Sequence, residues 1–88
     1  MTQGDAVVVN RLGLHARPSA RLTALANRFS SEVWLTKKDR RVNAKSIMGV
    51  MMLAAARGST LHIEAEGADE REAVAALQEL IGSGFEEE

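Results

Sequence analysis

The sequence Gly-Leu-His-Ala-Arg-Pro at residues 13–18 places a histidine where a loop passes into a helix. Pro18 fits only the first turn of a helix, or a break, because first-turn N–H groups have no intrahelical acceptor and proline has no N–H to lose. From Ala16 to about Arg28, apolar residues then recur at helical spacing. The stretch therefore predicts a helix that starts close to His15.

Short strands and helices alternate around this helix. Residues 6–10 contain three consecutive valines, a β-branched run typical of a strand. The other predicted elements are hairpin strands at 32–37 and 40–43, a short helix at 46–55, a strand at 60–66 and a final helix from residue 69. The strand at 60–66 alternates apolar and polar residues, which favours an antiparallel sheet with one wet face. The order β-α-β-β-α-β-α predicts an α+β fold, a four-stranded antiparallel sheet with three helices on one face.

The two ends of the final helix carry their own signals. Asp69 and Glu72 form a pair that resembles a capping box at its start. Gly82 and Gly84 are expected to end it. The last three residues, 86–88, are all glutamate and are expected to fray.

Length and composition indicate a single small domain spanning residues 1–88, of which 45% are hydrophobic. The chain contains no cysteine, which excludes disulfides, thiolate nucleophiles and cysteine zinc sites. A small domain without disulfides suggests a cytoplasmic setting. No secretory leader and no apolar run of ~20 residues is recognised, so we expect no membrane insertion.

Charge is distributed unevenly although the net value is only −1. Residues 1–57 hold ten Lys and Arg against three Asp and Glu, whereas residues 58–88 hold one basic residue and nine acidic ones. Such asymmetry can steer an acidic ligand to one region, or it can be a solvated surface without a role. One Trp, two Phe and no Tyr offer no stacking platform, so we expect no nucleic-acid partner.

The predicted helix start at His15 suits phosphate chemistry. Helix starts have unpaired N–H groups, here those of Ala16 and Arg17, and a partial positive charge. A histidine with an unperturbed pKa near ~6.5 is available there as a neutral nucleophile that can carry phosphate covalently. The Arg17 guanidinium can add paired hydrogen bonds to the phosphate oxygens. The local sequence leaves open that His15 only caps the helix.

Ser46 and the helix that follows form a second candidate region. Ser46 is predicted to be the N-cap, and a phosphate on it would change surface charge without unfolding the domain. Val50, Leu53 and Ala54 can form the buried stripe of this helix. Four apolar side chains are then left partly exposed: Ile47, Met48, Met51 and Met52. Such a patch is typical of an adaptable binding surface. The alternatives are that Ser46 is only an N-cap and that the helix is fully buried.

The remaining candidates indicate no further chemistry. His62 and Trp34 lie on the outward phase of their strands and are expected to face solvent. Two histidines far apart in a chain without cysteine give no support for a metal site. No catalytic triad, carboxylate pair or phosphate-cradling glycine loop stands out, so no cofactor and no stand-alone enzyme activity is expected.

Two motifs together resemble a known family. Residues 13–18 resemble the phosphorylation-site motif of the HPr family, the histidine-containing phosphocarriers of the bacterial phosphotransferase system. The sequence Lys-Ser-Ile-Met-Gly-Val-Met at residues 45–51 resembles its regulatory serine motif, at the family's usual separation. The resemblance extends over essentially the whole chain, including residues 66–70. It implies an open-faced β-sandwich.

The resemblance also implies roles for individual residues. His15 would accept phosphate on Nδ1 from phosphorylated enzyme I, with Arg17 assisting, and pass it to an enzyme IIA. Ser46 would be the target of an ATP-dependent HPr kinase/phosphorylase. Partners would dock on a shared surface that includes Ile47, Met48, Met51, Ala20 and Arg21. The protein is expected to act as a monomer.

The sequence is compatible with three functions. The first is a phosphocarrier for sugar uptake. The second is a regulatory relay of the nitrogen-branch type, which would also use His15 but has no sugar permease downstream. The third is a binding module controlled by Ser46, which would function without His15. Replacing His15 by alanine separates the third from the other two.

Overall fold

The computed structural model describes residues 1–87 of the chain. Its elements are β1 (Thr2–Val7), α1 (Ala16–Ala26), β2 (Glu32–Lys37), β3 (Arg40–Asn43), α2 (Ile47–Met52), β4 (Thr60–Glu66) and α3 (Glu70–Gly82), followed by a C-terminal 3-10 turn (Gly84–Glu86). The strands form one antiparallel sheet in the order β1-β4-β2-β3. The predicted α+β fold, with three helices on an open-faced sheet, is confirmed.

Alternation along β4 separates the two faces of the sheet. Leu61, Ile63 and Ala65 are fully buried against the helices, while His62 and Glu64 on the other face are only partly covered. The central position of β4 explains this burial, because it pairs with β1 on one side and β2 on the other. The helices close the core with one apolar stripe each, and these stripes include the fully buried Leu22 of α1 and Leu77 of α3.

The first strand lies earlier in the chain than the valine run predicts. We expected a strand at 6–10, whereas β1 spans Thr2–Val7. Its register explains the difference, because Val7 lies opposite Thr60, the first residue of β4, and the ladder of the strand pair ends there. Pairing with β4 thus recruits a polar segment that has weak strand propensity of its own.

Two helix details also differ from the prediction. Helix α2 ends at Met52 rather than near residue 55.

The Asp69 side chain does not cap α3. It instead accepts hydrogen bonds from the hydroxyl of Ser31 and from the backbone N–H groups of Ser30 and Ser31. These bonds, led by that of the Ser31 hydroxyl, lower the pKa of Asp69 from 3.8 to about 2.

Gly13 brings the start of α1 against the chain that follows α2. Its φ is +67°, and a Cβ at this position would clash with the carbonyl oxygen of Ala55. The neighbouring Leu14 N–H donates to that same oxygen at 2.9 Å. The close approach therefore fixes where His15 lies relative to α2. None of the helices within residues 1–87 combines the length and apolar character needed to cross a membrane.

Candidate functional site

His15 occupies the N-cap position of α1, but its ring does not cap the helix. The residue is extended, with φ −76° and ψ −170°, and its carbonyl accepts the first helical hydrogen bond from Ser19 N–H at 3.0 Å. No side-chain cap hydrogen bond is made. Because Pro18 has no N–H, the first turn offers those of Ala16 and Arg17. The ring is thus free of the backbone while two donors remain open beside it.

The two ring nitrogens of His15 have different surroundings. The side chain is 36% exposed, and Nε2 lies 3.1 Å from Oε2 and 3.5 Å from Oε1 of Glu87. Within residues 1–87, Nδ1 has no hydrogen-bond partner. The structure therefore leaves Nδ1 as the ring nitrogen that is open to a reacting group.

Both basic and acidic side chains surround His15. An open depression of about 430 Å³ is lined by Arg11, Leu12, His15, Arg17, Arg21, Glu86 and Glu87. Arg17 is exposed and its side chain makes no hydrogen bond within residues 1–87, so its guanidinium is available to an anion. Leu12 is 66% exposed beside these charges, an apolar contact point that the sequence interpretation missed.

The C-terminal tail also belongs to this site, which contradicts the expectation that it frays. Phe85 is fully buried, and its carbonyl accepts a hydrogen bond of 2.6 Å from Nη1 of Arg21. Glu87 follows and reaches the His15 ring. Of the three glutamates expected to fray, Glu88 lies outside the described residues. The lone aromatic residue in this polar segment was the available signal, because it can anchor the tail in the core.

Ser46 is the N-cap of α2, as predicted. Its φ is −108° and ψ 116°, and its Oγ accepts a hydrogen bond from Gly49 N–H at 3.1 Å. The side chain is partly buried. Unlike the His15 ring, the hydroxyl is therefore already engaged in holding its helix.

The side chains after Ser46 form an exposed apolar surface, which we call the methionine patch. Its members are Ile47 (40% exposed), Met48 (72%), Met51 (41%) and Met52 (60%). Val50 and Leu53 are buried beneath it, so α2 is not a fully buried helix. Ala54, predicted with them, is exposed at a φ of +50°, and Ala55 is buried instead. The helix has already ended at Met52, so the helical stripe does not extend to residue 54.

The methionine patch and the His15 region lie on neighbouring helices. Helices α1 and α2 pack against each other. Nζ of Lys45 donates to the carbonyl of Phe29 at 2.8 Å, which ties the start of α2 to the loop after α1. Ala20 and Arg21 of α1 are both exposed. The five residues predicted to dock partners are therefore accessible on two adjacent helices, although one Arg21 nitrogen is used by the tail.

His62 and Trp34 lie on the open face of the sheet and contact their strand neighbours. His62 Nδ1 is 2.6 Å from Oδ1 of Asp5, and Nε2 is 3.0 Å from Oε1 of Gln3. The Arg41 guanidinium lies 4.3 Å from the Trp34 ring centre, a cation–π contact. The sequence interpretation foresaw neither pairing. Within residues 1–87 no three His, Asp or Glu side chains gather in a group that could hold a metal ion.

The family model described as "PTS HPr component phosphorylation site" matches residues 2–83 of the chain. The chain belongs to the HPr family. The phosphocarrier protein HPr of Neisseria meningitidis serogroup A is 58% identical over 80 residues, which cover 91% of this chain and 90% of that protein. HPr proteins are phosphocarriers of the phosphotransferase system rather than stand-alone enzymes.

Solved HPr-type structures share the whole fold. The crystal structure of HPr from Thermoanaerobacter tengcongensis superposes with a TM-score of 0.95 at 46% identity, covering 100% of this chain and 99% of that one. Crh of Bacillus subtilis, described as a catabolite repression protein that forms a domain-swapped, intertwined dimer, has a TM-score of 0.77 at 43% identity and covers 96% of this chain and 97% of its own. The HPr fold thus occurs in a relative that swaps an element between two copies.

Proposed function

We propose that His15 accepts a phosphoryl group on Nδ1 from phosphorylated enzyme I and passes it to an enzyme IIA, as a carrier in sugar uptake. One observation carries the proposal: the His15 ring makes no cap hydrogen bond, and its Nδ1 is open beside the unpaired first turn of α1. The phosphoryl group originates in phosphoenolpyruvate, so the carrier needs no cofactor of its own.

The first turn and Arg17 would stabilise the phosphorylated ring. A phosphoryl group on Nδ1 can accept hydrogen bonds from the N–H groups of Ala16 and Arg17, in the favourable field of the helix start. The exposed Arg17 guanidinium can add charge-assisted bonds. The site stays open to solvent, which suits a group that must be handed on, because water exclusion can be left to the partner proteins.

The partners would dock on α1 and α2. The methionine patch supplies adaptable apolar contacts, and Ala20 and Arg21 extend the surface along α1. A modest interface of this kind suits transient association. Ser46 directly precedes the patch, so its phosphorylation by an HPr kinase/phosphorylase would place negative charge at the edge of the docking surface and regulate transfer.

We further propose that residues 1–88 act as one domain, as a monomer in the cytoplasm. A monomer leaves the methionine patch free for partners. Because Crh is an intertwined dimer, the oligomeric state needs its own measurement. Light scattering across a range of concentrations should give the 9.5 kDa mass of one chain, and a mass twice as large would contradict the monomer.

The carrier role is tested by intact mass after incubation with enzyme I and phosphoenolpyruvate. We expect one added phosphate that is lost in acid and is absent from His15→Ala. An unmodified wild-type protein, beside a control HPr that is phosphorylated, would overturn the proposal.

A second candidate is a regulatory binding module controlled by Ser46. The similarity to Crh, a catabolite repression protein, favours it, as does the position of Ser46 at the patch. In that case His15→Ala would leave function intact, and incubation with ATP and the kinase would add an acid-stable phosphate that Ser46→Ala lacks.

A further inference from the structure

Glu87 is held against the imidazole ring by a second hydrogen bond. Its Oε2 lies 3.1 Å from Nε2 of His15, and its Oε1 accepts a hydrogen bond from Nδ2 of Asn10 at 3.1 Å. Asn10 is only 4% exposed and also donates to the carbonyl of Gly13 at 2.8 Å. The carboxylate is therefore connected to the same loop that positions His15.

The tail has a strained backbone that is anchored at Phe85. Phe85 and Glu86 have φ values of +60° and +59°, a left-handed conformation that is unfavourable for residues with a Cβ. The surrounding contacts must compensate for this strain. They include the burial of the Phe85 ring and the hydrogen bond from Arg21 to the Phe85 carbonyl. The approach of Glu87 to His15 is thus specified by the fold.

We propose that Glu87 is a positioning residue that keeps the proton of His15 on Nε2 and so leaves the Nδ1 electron pair free to react. An ionised carboxylate can only accept a hydrogen bond, so Nε2 must donate in this contact. A neutral imidazole has a single N–H, and its other nitrogen then carries the electron pair. The inference deepens the carrier role proposed for His15 and rests on it.

The proton on Nε2 stays in place both when His15 accepts the phosphoryl group and when it passes the group on. When Nδ1 attacks the phosphorus, the N–P bond forms as the bond to the donor breaks, and the ring becomes positive while Nε2 keeps its proton. The Glu87 carboxylate stabilises that positive charge. When the phosphoryl group leaves, the electron pair of the N–P bond returns to Nδ1, and neutral imidazole is the leaving group. No proton has to move on or off the ring.

The other charged groups at the site do not supply this contact. Arg11, Arg17 and Arg21 line the depression and oppose a positive ring. The Glu86 carboxylate lies 3.7 Å from Nη1 of Arg21 and makes no hydrogen bond to His15 within residues 1–87. Glu87 is therefore the carboxylate placed to balance the arginines at Nε2, and Glu86 provides a matched control of equal charge.

The first test uses the unphosphorylated protein and needs no enzyme I. Nitrogen-15 NMR of the imidazole should show a slowly exchanging proton on Nε2 in the wild type and in Glu86→Gln. Glu87→Ala should lose this signal, because Nε2 becomes open to water, whereas Glu87→Gln should keep part of it through its amide oxygen. An Nε2 proton equally protected in Glu87→Ala would overturn the inference, whatever the protein's wider function.

The second test follows hydrolysis of the phosphorylated proteins as a function of pH. Without the carboxylate, the Nε2 proton has no acceptor in the fold to hold it, and a ring that has lost this proton is a poorer leaving group than neutral imidazole. The hydrolysis rate is expected to decrease as the pH rises, and this decrease should begin at a lower pH in Glu87→Ala than in the wild type. We expect equal rates in acid and, in mildly alkaline buffer, a rate for Glu87→Ala of about one third of the wild-type rate. Coincident pH profiles would overturn the inference, whereas a wild type that accepts no phosphate would instead overturn the carrier role.

Discussion

The two helix starts that carry the candidate sites use the same position in opposite ways. Ser46 caps α2 through a hydrogen bond from the N–H of Gly49, the third residue of that helix. The third residue of α1 is Pro18, which has no N–H to offer a cap. The His15 side chain makes no cap bond, and its ring contacts Glu87 instead.

This difference gives the N-cap side chain of α2 a structural role and leaves that of α1 available for reaction. At α2 the side chain satisfies a backbone donor, so its hydroxyl oxygen stabilises the start of the helix. At α1 the missing donor leaves the side chain free and keeps two other N–H groups open. Proline at the third helical position removes one of the two backbone donors that an N-cap side chain can use, and at α1 the His15 ring does not use the other.

Replacing His15 by serine, a residue that caps helices, should have the largest effect on phosphate acceptance. We expect His15→Ser to accept no acid-labile phosphate from enzyme I and phosphoenolpyruvate, because serine lacks the ring nucleophile. Ser46→Ala should accept phosphate at a rate within about twofold of wild type, since only about 1 kcal/mol of capping energy is lost. Intact mass against time measures both. Loss of transfer in Ser46→Ala would show that the α2 cap is part of the reactive site.

A charge at Ser46 should have the next largest effect. We expect Ser46→Asp to slow phosphoryl transfer from enzyme I by about tenfold, equivalent to about 1.4 kcal/mol of docking energy, because negative charge enters the edge of an apolar interface. Ser46→Asn is the matched control, since asparagine caps as well as aspartate but is neutral. Equal rates for the two variants would contradict a docking role for the surface beside Ser46.

The stability of the two starts should differ by a smaller amount. Ser46→Ala removes a cap hydrogen bond and should lower the free energy of unfolding by about 1 kcal/mol. His15→Ala removes no cap bond, and we expect a change below about 0.5 kcal/mol, the range of surface substitutions. Urea unfolding of both variants measures the comparison. An equal loss in His15→Ala would mean that the contact with Glu87 contributes as much stability as a cap.

Local sequence patterns predicted most of the fold because local physics determines those elements. The alternation of Leu61, Ile63 and Ala65 and the helical stripe around Leu22 each specify a buried face without knowledge of the partner. The predicted bounds of the first strand were wrong because they depend on where β4 begins. The last residue of β1, Val7, pairs with Thr60, which lies 53 positions later in the chain. The local residues do not determine such long-range pairing.

The candidate site was predicted in part for the same reason. His15, Arg17 and the donors of the first turn follow from residues adjacent in sequence. Glu87 contacts His15 across a sequence separation of 72 residues. This contact depends on the burial of Phe85, which fixes the course of the tail. Composition alone favours fraying for an acidic tail, so only the fold reveals that it reaches the ring.

A third helix start, that of α3, provides the last prediction, which concerns the pH dependence of stability. Asp69 has the sequence of a cap but bonds to Ser30 and Ser31 in the loop before β2. Its pKa is lowered from 3.8 to about 2, so its contribution to stability is present above the ordinary value and is lost as pH falls toward 2. Asp69→Asn should therefore be less stable than wild type at neutral pH, with the difference shrinking through that window.

Thermal unfolding at a series of pH values measures this change against Glu72→Gln, which removes an exposed carboxylate from the same helical turn. The control should change stability little at any pH, because exposed charges contribute weakly. If the difference between Asp69→Asn and wild type stayed constant down to the acid limit, the side chain would contribute through its shape and not its charge. A pH-dependent difference would show that α3 is joined to the rest of the fold by an ionised carboxylate, a use of the N-cap position distinct from those of Ser46 and His15.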